Sequence, residues 1–266
     1  MKLIMLGTGH AMVTECYNTC FLMEDDGRLL LVDGGGGSGL LRQVSHAGYD
    51  CKDIHHIFVT HKHLDHLLGV VWMLRIICQS MARGTYEGEA YIYSHHEVLA
   101  LLRSMAVGLL DEKSAACIDH GLHFVEVKDG ETLDIIGHPV TFFDIRSTKA
   151  KQFGFCMELG SGKKLTCCGD EPLSAALEHY AAGCEWLLHE AFCLHAEADV
   201  YKPYAKHHST VMDACQLAER LGARNLLLYH TEDRNLLRRR ELYVNEGSQY
   251  FHGTLFVPDD LDVIQL

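Results

Sequence analysis

Residues 60–66 read Thr-His-Lys-His-Leu-Asp-His, three imidazoles and a carboxylate in one short stretch. In an extended segment, residues two apart point the same way, so His61 and His63 can grip one ion. A turn into a helix then leaves Asp65 and His66 free to face a second point nearby. Neutral imidazoles with a carboxylate suit zinc, iron or manganese. A lone His-x-His is more often a surface or hydrogen-bonded core feature. The full H-x-H-x-D-H pattern, preceded by the apolar IFVT and followed by an apolar run, is specific for metal binding.

The elements that must position these residues are legible in part. Strands are expected at 2–7, 20–24 and 28–35, the last ending in Asp33 and the glycines 34–37, which let the backbone turn sharply. A helix is expected at 39–48 and a short apolar strand at 55–60, which delivers the histidine cluster. A largely buried helix follows at 65–81, with Asp65 suited to its N-terminus and Trp72, Met73 and Leu74 in its core face. A strand at 90–94 and a helix at 95–106 come next. Strands then read at HFVEV, PVTFFDI, FGFCMEL and KLTCCGD. A helix over EPLSAALEHYAAG leads to the strand EWLLHEAF, and a helix over STVMDACQLAERLG leads to RNLLLYHTED. The class is mixed α/β, in one domain over residues 1–266. The polar clusters THKHLDH, CCGDE, LLHEAF and LLLYHTED all follow apolar strands, so they can converge on one sheet edge.

Composition narrows the options. Of 266 residues, 48% are hydrophobic and 22% charged, an ordinary globular profile. No wholly apolar run approaches the ~18 residues of a membrane span, and MKLIMLGTGH reads as a first strand and not a signal peptide. Eleven scattered cysteines, mostly in apolar surroundings, read as free thiols of a reducing compartment, so a cytoplasmic protein with no membrane partner is expected. With a net charge of −13, nucleic-acid binding would need a local basic patch working against the overall field.

The motifs resemble the metallo-β-lactamase superfamily, and within it ribonuclease Z, the tRNA 3′-processing endonuclease, and related phosphodiesterases. LGTGHA is similar to that family's first strand and turn. LTCCGDE carries Asp170 at the place of a bridging aspartate. LLHEAF resembles a His-Glu-Ala-Thr motif with Phe192 for threonine, HHST matches a His-Ser-Thr motif, and LLLYHTEDR carries His230 at the place of the last metal histidine. The resemblance covers essentially the whole chain. It implies a four-layer αβ/βα sandwich with a dinuclear site at one edge. His61 and His63 would bind the first metal, Asp65, His66 and His230 the second, and Asp170 would bridge. Two divalent ions are implied, with zinc the leading choice and manganese or iron the alternatives. Such a pair, ~3.5–4 Å apart, can share a hydroxide and clamp a phosphoryl centre. Asp65 would also orient the attacking water. Glu190 would hold His208, and His208 would protonate the leaving oxygen. Ser209 and Thr210 read as caps of the next helix.

Two departures qualify the resemblance. The family's third histidine for the first metal should lie shortly before Gly154-Phe155, where this chain has Arg146-Ser147-Thr148. His138 sits too early, beside Pro139. The first site is therefore expected to be the weaker and to fill second. The long arm by which many ribonuclease Z enzymes grip tRNA has no room in FGFCMELGSGKKLTCCGD. Near the proposed acid, Tyr201, Lys202, Tyr204 and Lys206 read equally as a phosphate-and-base site or as a lid packed on the fold. The expected substrate is a phosphodiester, either a tRNA 3′ end or a small nucleotide, and the resemblance suggests a homodimer. Hydrolysis of another ester or lactone, or a catalytically weak metal-binding sensor, are the competing readings.

Overall fold

Along β1 (Lys2–Gly7), Leu3 and Met5 point to one face and Ile4 and Leu6 to the other, the two-residue period of an extended chain. After β2 (Cys20–Asp25), β3 (Arg28–Val32) repeats this, with Leu29 and Leu31 on one side and Leu30 and Val32 on the other. Strands apolar on both faces must be covered on both faces. The computed structural model, which describes residues 1–266, shows two seven-stranded sheets packed face to face with helices on both outer surfaces. This is the expected four-layer αβ/βα sandwich.

The first sheet continues through β4 (His56–Phe58), β5 (Ala90–Ser94) and β6 (Leu122–Glu126). In the second, β7 (Thr132–Ile135), β8 (His138–Asp144) and β9 (Phe153–Gly160) form an antiparallel meander. It runs into β10 (Lys163–Cys167), β11 (Trp186–Glu190), β12 (Asn225–Tyr229) and β13 (Thr254–Phe256). The last strand, β14 (Val263–Gln265), returns to pair with β1 in the first sheet. Strands β3 to β6 are mutually parallel, as are β10 to β13, so their C-terminal ends gather at one edge of each sheet. Helices α1 (Gly39–His46), α2 (Leu64–Ala82) and α3 (His96–Leu109), with the single-turn α4 (Glu112–Ala115), cover the first sheet. The single-turn α5 (Glu178–Ala181), then α7 (Val211–Leu221) and α8 (Arg239–Gly247), cover the second, and α6 (Ala198–Tyr201) lies in the loop between β11 and α7.

The glycines after β3 bring α2 against the strand end. A Cβ on Gly34 would sit 2.4 Å from Val70 N, and one on Gly69 only 1.7 Å from Gly34 O. Backbone hydrogen bonds from Gly34 N–H to His66 O (2.8 Å) and from Gly69 N–H to Gly35 O (2.9 Å) close the joint. The first turn of α2, with Asp65 and His66, is thereby fixed at the sheet edge.

Several expectations change. By length and composition α2 could cross a membrane, although no wholly apolar run marks it. Here half of it is buried in the fold, and it works as a core helix. Trp72 is 41% exposed because the buried stripe of α2 runs through Val70, Met73, Leu74 and Ile77. The helix expected over residues 171–183 is reduced to a 3-10 turn (Ala175–Leu177) and α5, because Ser174 is extended (φ −72°, ψ 151°) and the turn starts only after it. All eleven cysteines are free thiols. Arg239, in the Arg-Arg-Arg run at 238–240, is 1% exposed and donates to Thr231 Oγ1, Pro258 O and Asp259 Oδ1.

Candidate metal centre

Every residue singled out as a ligand lies just beyond a strand end. The chain leaves β4 extended, runs through His61 and enters α2 with His63 as its N-cap residue. Asp170 follows β10, and His230 follows β12 in a left-handed turn (φ 58°). His61, His63 and Asp170 place ligand atoms within 4.8 Å of one another, and so do Asp65, His66 and His230. The two groups meet at Asp170. Its Oδ2 lies 3.6 Å from His61 Nε2, 3.6 Å from His66 Nε2 and 3.7 Å from His230 Nε2. Asp65 Oδ2 lies 3.4 Å from His66 Nε2.

These separations are too long for good hydrogen bonds. They are close to the about 3.4 Å expected between two donors of one tetrahedral zinc ion with bonds of about 2.0–2.1 Å. His66 Nε2 is buried and has no hydrogen-bond partner. A nitrogen left so is costly unless a cation takes its lone pair. The donor set, the spacing and the orphaned nitrogen all fit divalent metal binding.

Electrostatics prepare the ligands. Burial pushes His61 down to about 3, and burial likewise holds His230 well below its usual value, against the opposing pull of Asp170 on both rings. Burial opposes ionisation of Asp170, but His61, His66 and His230 outweigh it and hold the carboxylate well below its ordinary range. His66 differs. Burial disfavours its charged form, but Asp65 and Asp33 on either side more than offset that and raise it well above the usual value. A metal at this point replaces that proton.

Asp33 was not singled out as a site residue, yet it organises both groups. Its Oδ2 accepts from His66 Nδ1 (2.7 Å) and from Thr60 Oγ1 (2.8 Å), and its Oδ1 accepts from Thr60 N–H (2.8 Å). Thr60 Oγ1 in turn meets His61 Nδ1 at 2.9 Å. One carboxylate thus fixes, directly or through Thr60, the Nδ1 side of two rings and turns each Nε2 toward the centre. Its place just before the glycine run was the available signal.

The first group is less open than the second. His61 Nε2 and His63 Nδ1 hydrogen-bond to each other at 2.8 Å, a contact that a shared ion must break. No third histidine completes this group, since His66 belongs to the second. Ser147 Oγ donates to Glu171 Oε1 (2.7 Å), Lys149 pairs with the same carboxylate (3.4 Å), and Lys149 Nζ donates to Lys206 O (2.8 Å). His138 is far off, bonded to Asp25 Oδ2 (2.8 Å) and Glu158 O (2.9 Å).

Beside the second group stands His208, its ring 5.2 Å from that of His230. Its Nδ1 lies 3.6 Å from Glu190 Oε2, and Glu190 is fully buried at the end of β11. Glu190 Oε1 accepts from Ser209 N–H, and Thr210 forms the capping box of α7 with Asp213. Phe192 stacks on His208 (4.9 Å, 5°), and the His10 ring closes over it at 4.5 Å. Lys206 Nζ sits 4.7 Å above the Phe192 ring. Tyr201 and Tyr204 are tied to Glu232 and Asp213 (3.0 Å each), which favours the packed-lid reading for the tyrosines.

The resemblance to ribonuclease Z holds over the full length. The ribonuclease Z of Thermococcus sibiricus is 24% identical over 312 residues, covering 100% of this chain and 96% of the relative. A metallo-β-lactamase fold protein of Bacillus subtilis, YhfI, superposes with a TM-score of 0.79 at 17% identity, covering 99% of this chain and 98% of that one. The short form of human tRNase Z superposes at 0.75 and 21% identity, covering 100% and 99%. These structural likenesses show the metallo-β-lactamase fold. The family model of the anti-Pycsar protein Apyc1 matches residues 1–247. The chain belongs to the family of the anti-Pycsar protein Apyc1.

Proposed function

We propose that the protein is a metal-dependent phosphodiesterase acting on a small phosphodiester. The observation that carries this is Asp170 Oδ2, held at 3.6–3.7 Å from three imidazole nitrogens at the junction of two ligand groups. His61, His63 and Asp170 would hold one ion, and Asp65, His66, His230 and Asp170 the other, with zinc the leading choice. Bound there, divalent ions activate water and neutralise phosphoryl charge.

The chain's own residues supply the rest. Asp65 is held ionised: burial opposes it, but His66 and His230 prevail, so it can accept and orient the water's proton. Glu190 sets the His208 ring by facing its Nδ1, which leaves Nε2 to deliver a proton to the leaving oxygen. The stack with Phe192 fixes the plane of that ring. A small substrate is favoured over tRNA because β9 and β10 are joined by a two-residue turn, with no arm between them, and because the net charge is −13. The names of the ribonuclease Z relatives and of human tRNase Z favour an RNA substrate instead.

One preparation separates these readings. Metal-dependent hydrolysis of bis-p-nitrophenyl phosphate, lost in Asp65→Ala, is expected, with no cleavage of a precursor tRNA. Cleavage of the tRNA would transfer the assignment to 3′-end processing. No metal-dependent turnover on either substrate would leave a metal-binding protein without this chemistry.

A further inference from the structure

Gln152 is 1% exposed, immediately before β9, and its amide touches two ligands of the first group. Nε2 donates to Asp170 Oδ1 at 2.7 Å and lies 3.2 Å from His61 Nδ1. The seat is built for it. Gly169 has a left-handed backbone (φ 77°), and a Cβ there would come within 2.8 Å of Gln152 Nε2 and 3.0 Å of Cδ. The amide therefore lies flat on the backbone beside Asp170. Its own backbone is clamped, since Ile145 N–H donates to Gln152 O (3.0 Å) and Phe153 N–H donates to Thr60 O (3.1 Å). The second of these bonds joins the two sheets at the site.

The contact geometry defines a role. Gln152 meets Asp170 at Oδ1, whereas the three histidines face Oδ2. It meets His61 at Nδ1, whereas His61 faces the centre with Nε2. The amide thus stands behind both ligands. A carboxylate free to rotate can offer either oxygen or both. One whose Oδ1 is occupied by a fixed N–H offers only Oδ2.

We propose that Gln152 is the positioning residue of the first metal site. It compensates for the absent third histidine by locking Asp170 so that a single oxygen, Oδ2, serves both metal positions. This rests on the reading of the two ligand groups as a metal centre. Gln152 does not itself ligate. A neutral amide is required, because a carboxylate at 2.7 Å from Asp170 Oδ1 would repel it and a hydrocarbon would leave Oδ1 unpaired.

The test is calorimetric titration of metal-stripped protein with zinc, in wild type, Gln152→Met and Gln152→Glu, beside melting curves of the metal-free proteins. Methionine keeps the length of the side chain and removes the donor. Glutamate keeps an oxygen acceptor and removes the donor. Both variants are expected to weaken the first-group zinc-binding event by about 10–100-fold, with a smaller loss at the second, which shares Asp170 but not His61. The metal-free melting curves should stay cooperative, which separates the loss from misfolding. Two binding events of unchanged affinity in both variants would refute the positioning role. Tighter first-site binding in Gln152→Glu would refute it too, by showing that an oxygen at this position ligates. Wild-type protein that binds no zinc would instead remove the metal centre itself, a failure distinct from that of Gln152.

Discussion

Replacing Asp33 by asparagine changes one oxygen into an NH2 group at the point where His66 Nδ1 and two groups of Thr60 converge. The carboxylate accepts three hydrogen bonds at 2.7–2.8 Å. Asparagine can accept with one atom only. If its oxygen takes the Oδ1 position and keeps the Thr60 N–H, its NH2 takes the Oδ2 position and faces His66 Nδ1, and two donors oppose each other; the reverse orientation sets the NH2 against Thr60 N–H instead. In the first orientation the His66 ring escapes by moving its proton to Nε2, the nitrogen that must face the metal. Loss of such a partner behind a metal-bound histidine weakens binding by about 10–100-fold. At about 1.4 kcal/mol per tenfold, that is about 1.4–2.8 kcal/mol. The effect should fall on the Asp65–His66–His230 site, with a smaller one on His61 through Thr60. Zinc titration of Asp33→Asn gives the affinity, and nitrogen chemical shifts of the His66 ring give its tautomer. Wild-type affinity at both sites, with the His66 proton still on Nδ1, would refute the reasoning.

Other consequences follow from the same geometry. Stripping metal should lower the melting temperature, because a ligand at 100 times its Kd stabilises by about 2.7 kcal/mol, worth roughly 5–10 °C for a chain of this size; scanning calorimetry with and without a chelator measures it. His208→Ala should lower kcat by about 10²–10⁴ with an alkoxide leaving group and far less with p-nitrophenolate, which departs without a proton. Steady-state rates on the two substrate types expose this split, and equal losses would show that His208 is not the acid. His138→Gln should leave metal content unchanged, since that ring is bonded to Asp25 and Glu158. The hydrogen bond from His138 is the chief cause of a lowered Asp25 pKa, so the stability it gives is present above about pH 4 and is lost as pH falls through the folded value. Denaturant melts of the variant and wild type should therefore differ near neutrality and converge in acid.

The candidate ligands were legible because each sits where a strong local pattern ends. β4, β10 and β12 are short apolar strands, and His61 and Asp170 come three residues after their strands and His230 one residue after its own. Asp33 and Gln152 were not legible as site residues. Each acts from the side of a ligand facing away from the centre, and its partners are 27 and 33 residues away for Asp33 and 18 and 91 for Gln152. Sequence spacing says nothing of such pairs. Trp72 was misplaced because a helix apolar nearly all round hides its buried stripe, and β7, β13 and β14 were missed because strands of three or four residues are too short to show a period. The Arg-Arg-Arg run concealed Arg239, a charge buried by the acceptors of a loop that folds over it.

The most direct test is to titrate zinc into metal-stripped protein while following hydrolysis of bis-p-nitrophenyl phosphate and the bound metal together. The account predicts no turnover without metal and a rate that rises through the second equivalent and levels at two ions per chain. It also predicts that Asp170→Asn abolishes the rise. Turnover by the stripped protein at the full rate, or a rate indifferent to bound zinc, would contradict the account.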